Sequence, residues 1–525
     1  MSRLISNPLL AGLLTLPWLW PHTFGPVAAV EPYLVSVALA AIALALWPVR
    51  GARRATRIAA WAWLAAALAS SVIALLQYFD LEAPLFPWVD IAAPGQAFGN
   101  LRQPNQLATL LVIGALALRW LARAGRLPGG HAAWMGALLM AALAATASRV
   151  GLVELLACGA LLLWWALAAR QPRQGRRVAA AVGVAVALYV LAALALPLLA
   201  QSTEGIAGRD IAERLRTAES TCGSRLILWR NVLHLIALKP WTGWGWGELG
   251  YAHYITLYDG PRFCHILDNA HNLPLHLAVE LGVPVALLAC ALAAWLAWRG
   301  RPWAERQPAR QLAWGVLLAI GIHSLVEYPL WYGPFQIAAA LCIWLLWATR
   351  AGQASQPDDE AAAWGQVAGA RAAPWRYAVA AAMLCAVVYA GWDYHRISQL
   401  YLPAEQRSAL WRDDPLGHAR QSWLYAGVVR FAEVTSYPAT RDNAAWLLPE
   451  AQQTLHYSSE PSVIIRVIES ASLQGRDDLV LAHLARFRAA FPREYQAWMD
   501  DNERLLKEAQ ELLQSQPASA APDGQ

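Results

Sequence analysis

About eleven stretches of this chain are too apolar and too long to serve as ordinary core segments. They fall at 7–20, 32–48, 58–79, 104–121, 132–147, 151–169, 178–199, 272–298, 311–326, 332–349 and 376–394. A helix needs about 20 apolar residues to cross the hydrocarbon layer. In lipid a segment must satisfy its own backbone hydrogen bonds, which a helix does. The sequence therefore predicts an all-α fold. Its body is a polytopic membrane helix bundle of about 11 transmembrane helices. A composition 58% hydrophobic and 15% charged excludes a soluble enzyme with one large core. The first run, Pro8 to Trp20, has no small-residue cleavage site and reads as a span, not a removable leader.

Arginines orient the bundle. They follow the second run (Arg50, Arg53, Arg54, Arg57), the fourth (Arg119, Arg123, Arg126) and the sixth (Arg170, Arg173, Arg176, Arg177). Arg299, Arg301, Arg306 and Arg310 follow the eighth, and Arg350, Arg371 and Arg376 the tenth. These are alternate connections, so they belong on the cytoplasmic side of a bacterial inner membrane. Segments 21–31, 80–103, 148–150, 200–271, 327–331 and everything after about 395 then face the periplasm. A net charge of +5 reports this orientation and gives no ground for a nucleic-acid partner. The chain divides into N-terminal helices at 1–199, a loop at 200–271, C-terminal spans at 272–394, a helical domain at 395–513 and a disordered tail at 514–525.

The loop is long for a connection between spans, and such loops are usually functional. Ser224 to Ile236 has apolar residues at helical spacing, with Ser224 suited to cap the helix and Pro240 to end it. Gly243, Gly245, Gly247 and Gly250 then form a turn, not a nucleotide fingerprint, since no strand precedes them. Cys158, Cys290, Cys342 and Cys385 lie in apolar runs. Cys222 and Cys264 face an oxidising compartment and are expected to pair as a disulfide. Neither has the spacing of a metal site.

Polar residues at the ends of the runs supply the candidate site. Arg102, Gln103, Asn105 and Gln106 crowd the start of the fourth run. A helix cap with a snorkelling arginine is the bland account; a surface that contacts a donor is the functional one. Arg149 stands in a short turn on the side otherwise poor in basic residues, and Arg225 begins the loop helix. His271 stands where the eighth run begins, at a helix N-terminus that favours anions. His276 and Glu280 lie one turn apart beyond it, and Glu327 and Tyr328 close the ninth run. Either glutamate is placed to orient a histidine, or to serve only the turn or helix that holds it. After residue 395 the chain is polar with helical periodicity. Residues 462 to 492 have the pattern of one tetratricopeptide-like hairpin.

Four segments carry a family resemblance: Gly99 to Ala108, Ser224 to Gly245, Asp268 to Pro284 and His323 to Leu330. Together they resemble the bacterial O-antigen ligase/polymerase superfamily, and most closely its protein O-oligosaccharyltransferase (PglL-type) branch. The resemblance implies en bloc transfer of a glycan from undecaprenyl diphosphate to a Ser or Thr hydroxyl of a periplasmic or pilin protein. It implies no metal and no cofactor. His271 would act as general base, and Arg149 and Arg225, with Arg102, would hold the diphosphate. Gln103, Asn105, Gln106, Glu280, Glu327 and Tyr328 would line the substrate. The guanidinium fork suits a diphosphate, and neutral imidazole is available near pH 7. An O-antigen ligase or polymerase with a sugar acceptor shares this chemistry. A transporter of lipid-linked oligosaccharide would bind the same diphosphate without cleaving it, but no inverted repeat marks one.

Overall fold

The computed structural model describes residues 2–47, 52–170, 172–204, 222–350 and 374–515. Arg50 and Arg371 of the charge pattern, part of the loop (205–221) and the tail from 516 lie outside the described residues. No strand occurs among the described residues, and each of the eleven apolar runs is helical.

Two compact units hold these helices. The first begins with α1 (Ser2–Leu19), α2 (Val30–Leu46), α3 (Ala52–Tyr78), α4 (Pro104–Arg123), α5 (Gly129–Ala145), α6 (Arg149–Ala168) and α7 (Pro172–Glu204). It also holds His271–Pro274 and the chain from Leu287 to Ala419. Among the described residues, six helices are long and apolar enough to cross a membrane, and four more are apolar but shorter. The core of this unit is built around α3 and α4, with Trp63, Leu107, Leu110 and Ile113 fully buried beside a row of alanines. Small residues let the helix backbones approach closely, as membrane bundles require. A Cβ on Gly114 would sit 2.3 Å from that of Ala67.

The run read as an eighth span, 272–298, is not one helix. It is divided into α10 (Leu273–Leu281) and α11 (Val283–Gly300). The reason is Gly282, which adopts φ +88°, a left-handed conformation that stops a helix.

The second unit joins the loop to the tail. It contains α8 (Arg225–Leu238), α9 (Leu249–Ile255), residues Leu275–Ala286 and the helices after Arg420. Ser224 Oγ accepts from Ile227 N–H and caps α8. The buried stripe of α8, Leu228, Val232 and Leu235, packs into a core with Leu249, Phe263 and Val279. The main apolar stripe of this helix thus serves the unit's own core. Leu226 and Leu233 remain exposed on its other side.

The helix α9 meets the tail helices. Tyr254 is buried among Val434, Leu447, Ile464 and Phe487, and its hydroxyl lies 2.8 Å from His483 Nδ1. The Arg486 Nε donates to Ile255 O at 3.0 Å, and the Glu248 carboxylate meets His456 at 2.7 Å. Pro461–Leu473 and Asp477–Ala490 form a helical hairpin whose turn places Gly475 at φ +66°. The last described helix runs to Ser515.

Candidate active site

The local fold of the first unit draws polar side chains from four separate segments to the start of α4. Pro104 opens α4, where its missing N–H costs nothing. Gln103 is the N-cap, its Oε1 accepting from Gln106 N–H at 3.1 Å. Asn105 then stands on the first turn. Its amide donates to Glu327 Oε1 at 3.3 Å and its carbonyl accepts from the Ser148 hydroxyl at 2.7 Å. Ser148 also caps α6, accepting from Gly151 N–H at 3.1 Å. Glu327 Oε2 completes the chain at His271, 2.6 Å from Nδ1.

His271 and Glu327 are both mostly withdrawn from water, with side chains 17% and 6% exposed. A buried carboxylate at this distance accepts Nδ1–H and stabilises positive charge on the ring. That pairing fixes the tautomer with the lone pair on Nε2. The Tyr328 ring stands edge-on to the imidazole, centroids 5.0 Å apart. Asn272 donates to Leu325 O at 2.9 Å and fastens the next residue. His271 itself is held at φ +47°, which is uncommon for a residue with a side chain.

The other candidates are distributed as follows. Arg102 pairs in bidentate fashion with Asp90, at 2.9 and 3.0 Å, and also donates to Pro21 O. It therefore ties down the segment 80–103, as do Asn100 and Gln77 through the backbone at Trp88, Asp90 and Gly99. Gln106 is buried and its Oε1 has no hydrogen-bond partner among the described residues. Arg149 is the first residue of α6, exposed, without a side-chain partner among the described residues.

In the second unit Arg225 is the first residue of α8 and is half-buried. A disulfide joins Cys222 to Cys264. Trp229 Nε1 holds Ala270 O at 3.1 Å, and Asn231 grips the backbone of Pro261 and Phe263. Glu280 belongs to the second unit, 3.5 Å from His276, while the carboxylate on His271 comes from Glu327. Burial pushes the Glu280 carboxyl up to about 7, against backbone N–H groups of Gly247 and Leu249 that favour its charged form. Its backbone carbonyl and that of Val279 accept from Gly245 and Trp244, so the Gly-rich turn caps the end of α10.

Thr109 and Glu154 are absent from the sequence-derived candidates. The Thr109 hydroxyl lies 2.9 Å from Glu154 Oε1 and 2.8 Å from His323 Nδ1, all three fully buried. A lone carboxylate inside an apolar run was the available signal. This cluster ties α4 and α6 to α12 (Pro308–Ser324), and Glu327 lies in the turn that follows that helix.

Comparison with known proteins bears on this geometry. Residues 97–122 match the family described as Protein glycosylation ligase. Residues 134–290 match O-Antigen ligase, and residues 311–505 match Virulence factor membrane-bound polymerase, C-terminal. The chain is also 27% identical over 304 residues to the General O-oligosaccharyltransferase of Acinetobacter baylyi, covering 57% of this chain and 50% of that protein. The chain thus spans about half the length of this curated relative.

Proposed function

Since the chain belongs to the protein-glycosylating branch of the O-antigen ligase/polymerase superfamily, we propose that it transfers a preassembled glycan to protein hydroxyls. The donor in this reading is undecaprenyl diphosphate-linked oligosaccharide. The acceptor is a Ser or Thr of a periplasmic or pilin protein. The bundle is a multi-pass membrane protein, and the reading places eleven crossings in the inner membrane with the His271 end facing the periplasm.

The contact between His271 Nδ1 and Glu327 carries the mechanism. The acceptor hydroxyl approaches the imidazole, and Nε2 takes its proton as the oxygen attacks the anomeric carbon. The bond from that carbon to the diphosphate oxygen breaks, and the lipid diphosphate leaves with the electron pair. Glu327 balances the imidazolium formed in this step. Asn105, held by Ser148, keeps the carboxylate oriented. Arg149 and Arg225 are the guanidinium groups assigned to the diphosphate charge, on the chemistry of the fork alone. Arg102, committed to Asp90, acts as a support for the donor-facing segment.

Purified protein is given a lipid-linked oligosaccharide with pilin, lipid A or a second lipid-linked glycan as acceptor. Product on protein supports the proposal. Product only on lipid A or on the glycan assigns a ligase or polymerase instead, and binding without product assigns a transporter.

A further inference from the structure

The end of α4 away from Asn105 carries a second polar feature that the proposed reaction does not use. Arg119 is fourteen residues beyond Asn105, about 21 Å along the helix. There, Arg119 and Arg123 of α4 meet Arg170, Arg173, Arg176 and Arg177 around a cavity of about 1010 Å³. Among the described residues, no carboxylate lines it. Arg123 donates to the Gln311 amide at 3.2 Å, and none of the six has an acidic partner among the described residues. An orientation rule accounts for the sign of charge at this end. It does not account for six guanidinium groups facing one cavity.

The cavity has an apolar continuation. A cleft of about 430 Å³ between α4, α5, α6 and α7 shares Arg119, Arg123 and Val178 with it. Leu116, Met140, Leu155 and Leu188 line the cleft, and here too no carboxylate occurs among the described residues. Cationic head space that opens into an aliphatic slot along a membrane helix fits an amphiphile with phosphate at one end. Basic pockets between membrane helices bind anionic lipid headgroups in this way. A free phosphate would leave the slot without a function, and a neutral lipid would leave the charge unbalanced.

We propose that this cavity is a binding site for an anionic glycerophospholipid, with its phosphate among the arginines and an acyl chain in the cleft. Arg173, Arg176 and Arg177 meet the headgroup from the first turns of α7, and Arg119 and Arg123 from the last turns of α4. The bound lipid would join helices whose cationic ends otherwise repel one another.

Native mass spectrometry of the full-length protein in detergent tests this site. The probes are cardiolipin, phosphatidylglycerol, phosphatidylcholine, undecaprenyl phosphate and inorganic pyrophosphate. The expected result is retention of cardiolipin or phosphatidylglycerol at least about tenfold tighter than phosphatidylcholine, lost in the R173Q/R176Q/R177Q variant. The matching triple Lys variant should keep the preference, as should R301Q/R306Q, which removes exposed arginines outside the cavity. Ala181→Trp, which fills the cleft from an exposed position, should weaken retention with every arginine in place. Equal retention by the triple Gln variant and by Ala181→Trp would overturn the proposal. So would tightest binding of pyrophosphate or undecaprenyl phosphate that the triple Gln variant loses, or no preference for anionic lipid.

Discussion

Glu327 Oε2 lies 2.6 Å from His271 Nδ1, although 56 positions separate the two residues in the chain. The ring is held from both sides: the carboxylate fixes Nδ1, and the backbone at φ +47° fixes the direction of the side chain. Asn105 bonds the second oxygen of the same carboxylate, so neither member of the pair is set by its own segment alone.

Removing the charge of Glu327 while keeping its shape should therefore impair the reaction and spare the fold. Glu327→Gln is expected to lower kcat about 10²–10⁴-fold with little change in KM for the donor. His271→Asn, which tolerates the left-handed backbone, should abolish transfer while leaving the thermal midpoint nearly unchanged. Transfer assays on well-folded protein check both. Wild-type turnover by His271→Asn would remove the imidazole from the mechanism.

The apolar runs and their helices were legible because hydrophobic length is a local property of the chain. So were the cap at Ser224 and the partners Cys222 and Cys264, which follow from short motifs and compartment. The identity of the carboxylate on His271 was not legible. Glu280 is closer in sequence, but the left-handed turn at Gly282 ends α10 and the second unit keeps Glu280 beside His276. The partner of Arg102 was hidden for a similar reason. Asp90 is twelve residues away in an irregular segment without periodicity, so nothing local announced the pair. Glu154 was the exception, a signal present in the sequence and passed over.

The disulfide should contribute to the second unit in proportion to the chain it closes. Cys222 and Cys264 are 42 positions apart, and closing a loop of that length stabilises a fold by about 2–4 kcal/mol. Cys222→Ser, or reduction of the wild type, should lower the thermal midpoint and open α8 to proteolysis. Equal protease resistance with and without the bond would show that the packing around Leu228 and Val232 suffices.

The turn that caps α10 should be intolerant of a single methyl group. Gly282 is at φ +88°, and a Cβ there would stand 2.3 Å from Trp241 O, a backbone atom that cannot swing aside. Gly243 makes the reciprocal approach to Glu280 O. Gly282→Ala should destabilise the second unit by about 2 kcal/mol or more, since strain and a backbone clash combine. Gly250→Ala, whose Cβ would meet only ordinary contact distances, should cost well under half of that. Chemical denaturation of the pair separates the two cases.

Acid should loosen the second unit through its buried histidines. His253 is wedged between the Tyr258 hydroxyl and Phe263 O, and burial with Arg262 nearby lowers its pKa to about 3. His483 accepts from the Tyr254 hydroxyl, and burial beside Arg486 lowers its pKa to about 4. Both are neutral in the fold and take up protons more readily in the unfolded chain. Their contribution is thus complete above the ordinary histidine value near 6.5 and is lost as the pH falls through that value toward 4 and 3. Glu280, raised to about 7, acts in the opposite sense, favouring the fold at low pH and losing that effect as the pH rises through 7. The histidine contribution is isolated by comparing variants. His483→Gln keeps an acceptor for Tyr254 and removes one titration, so its thermal midpoint should fall less than that of the wild type between pH 7 and pH 5. Identical slopes for the two proteins would mean that His483 takes up its proton at the same pH in the folded and the unfolded chain, so that burial beside Arg486 does not hold it neutral.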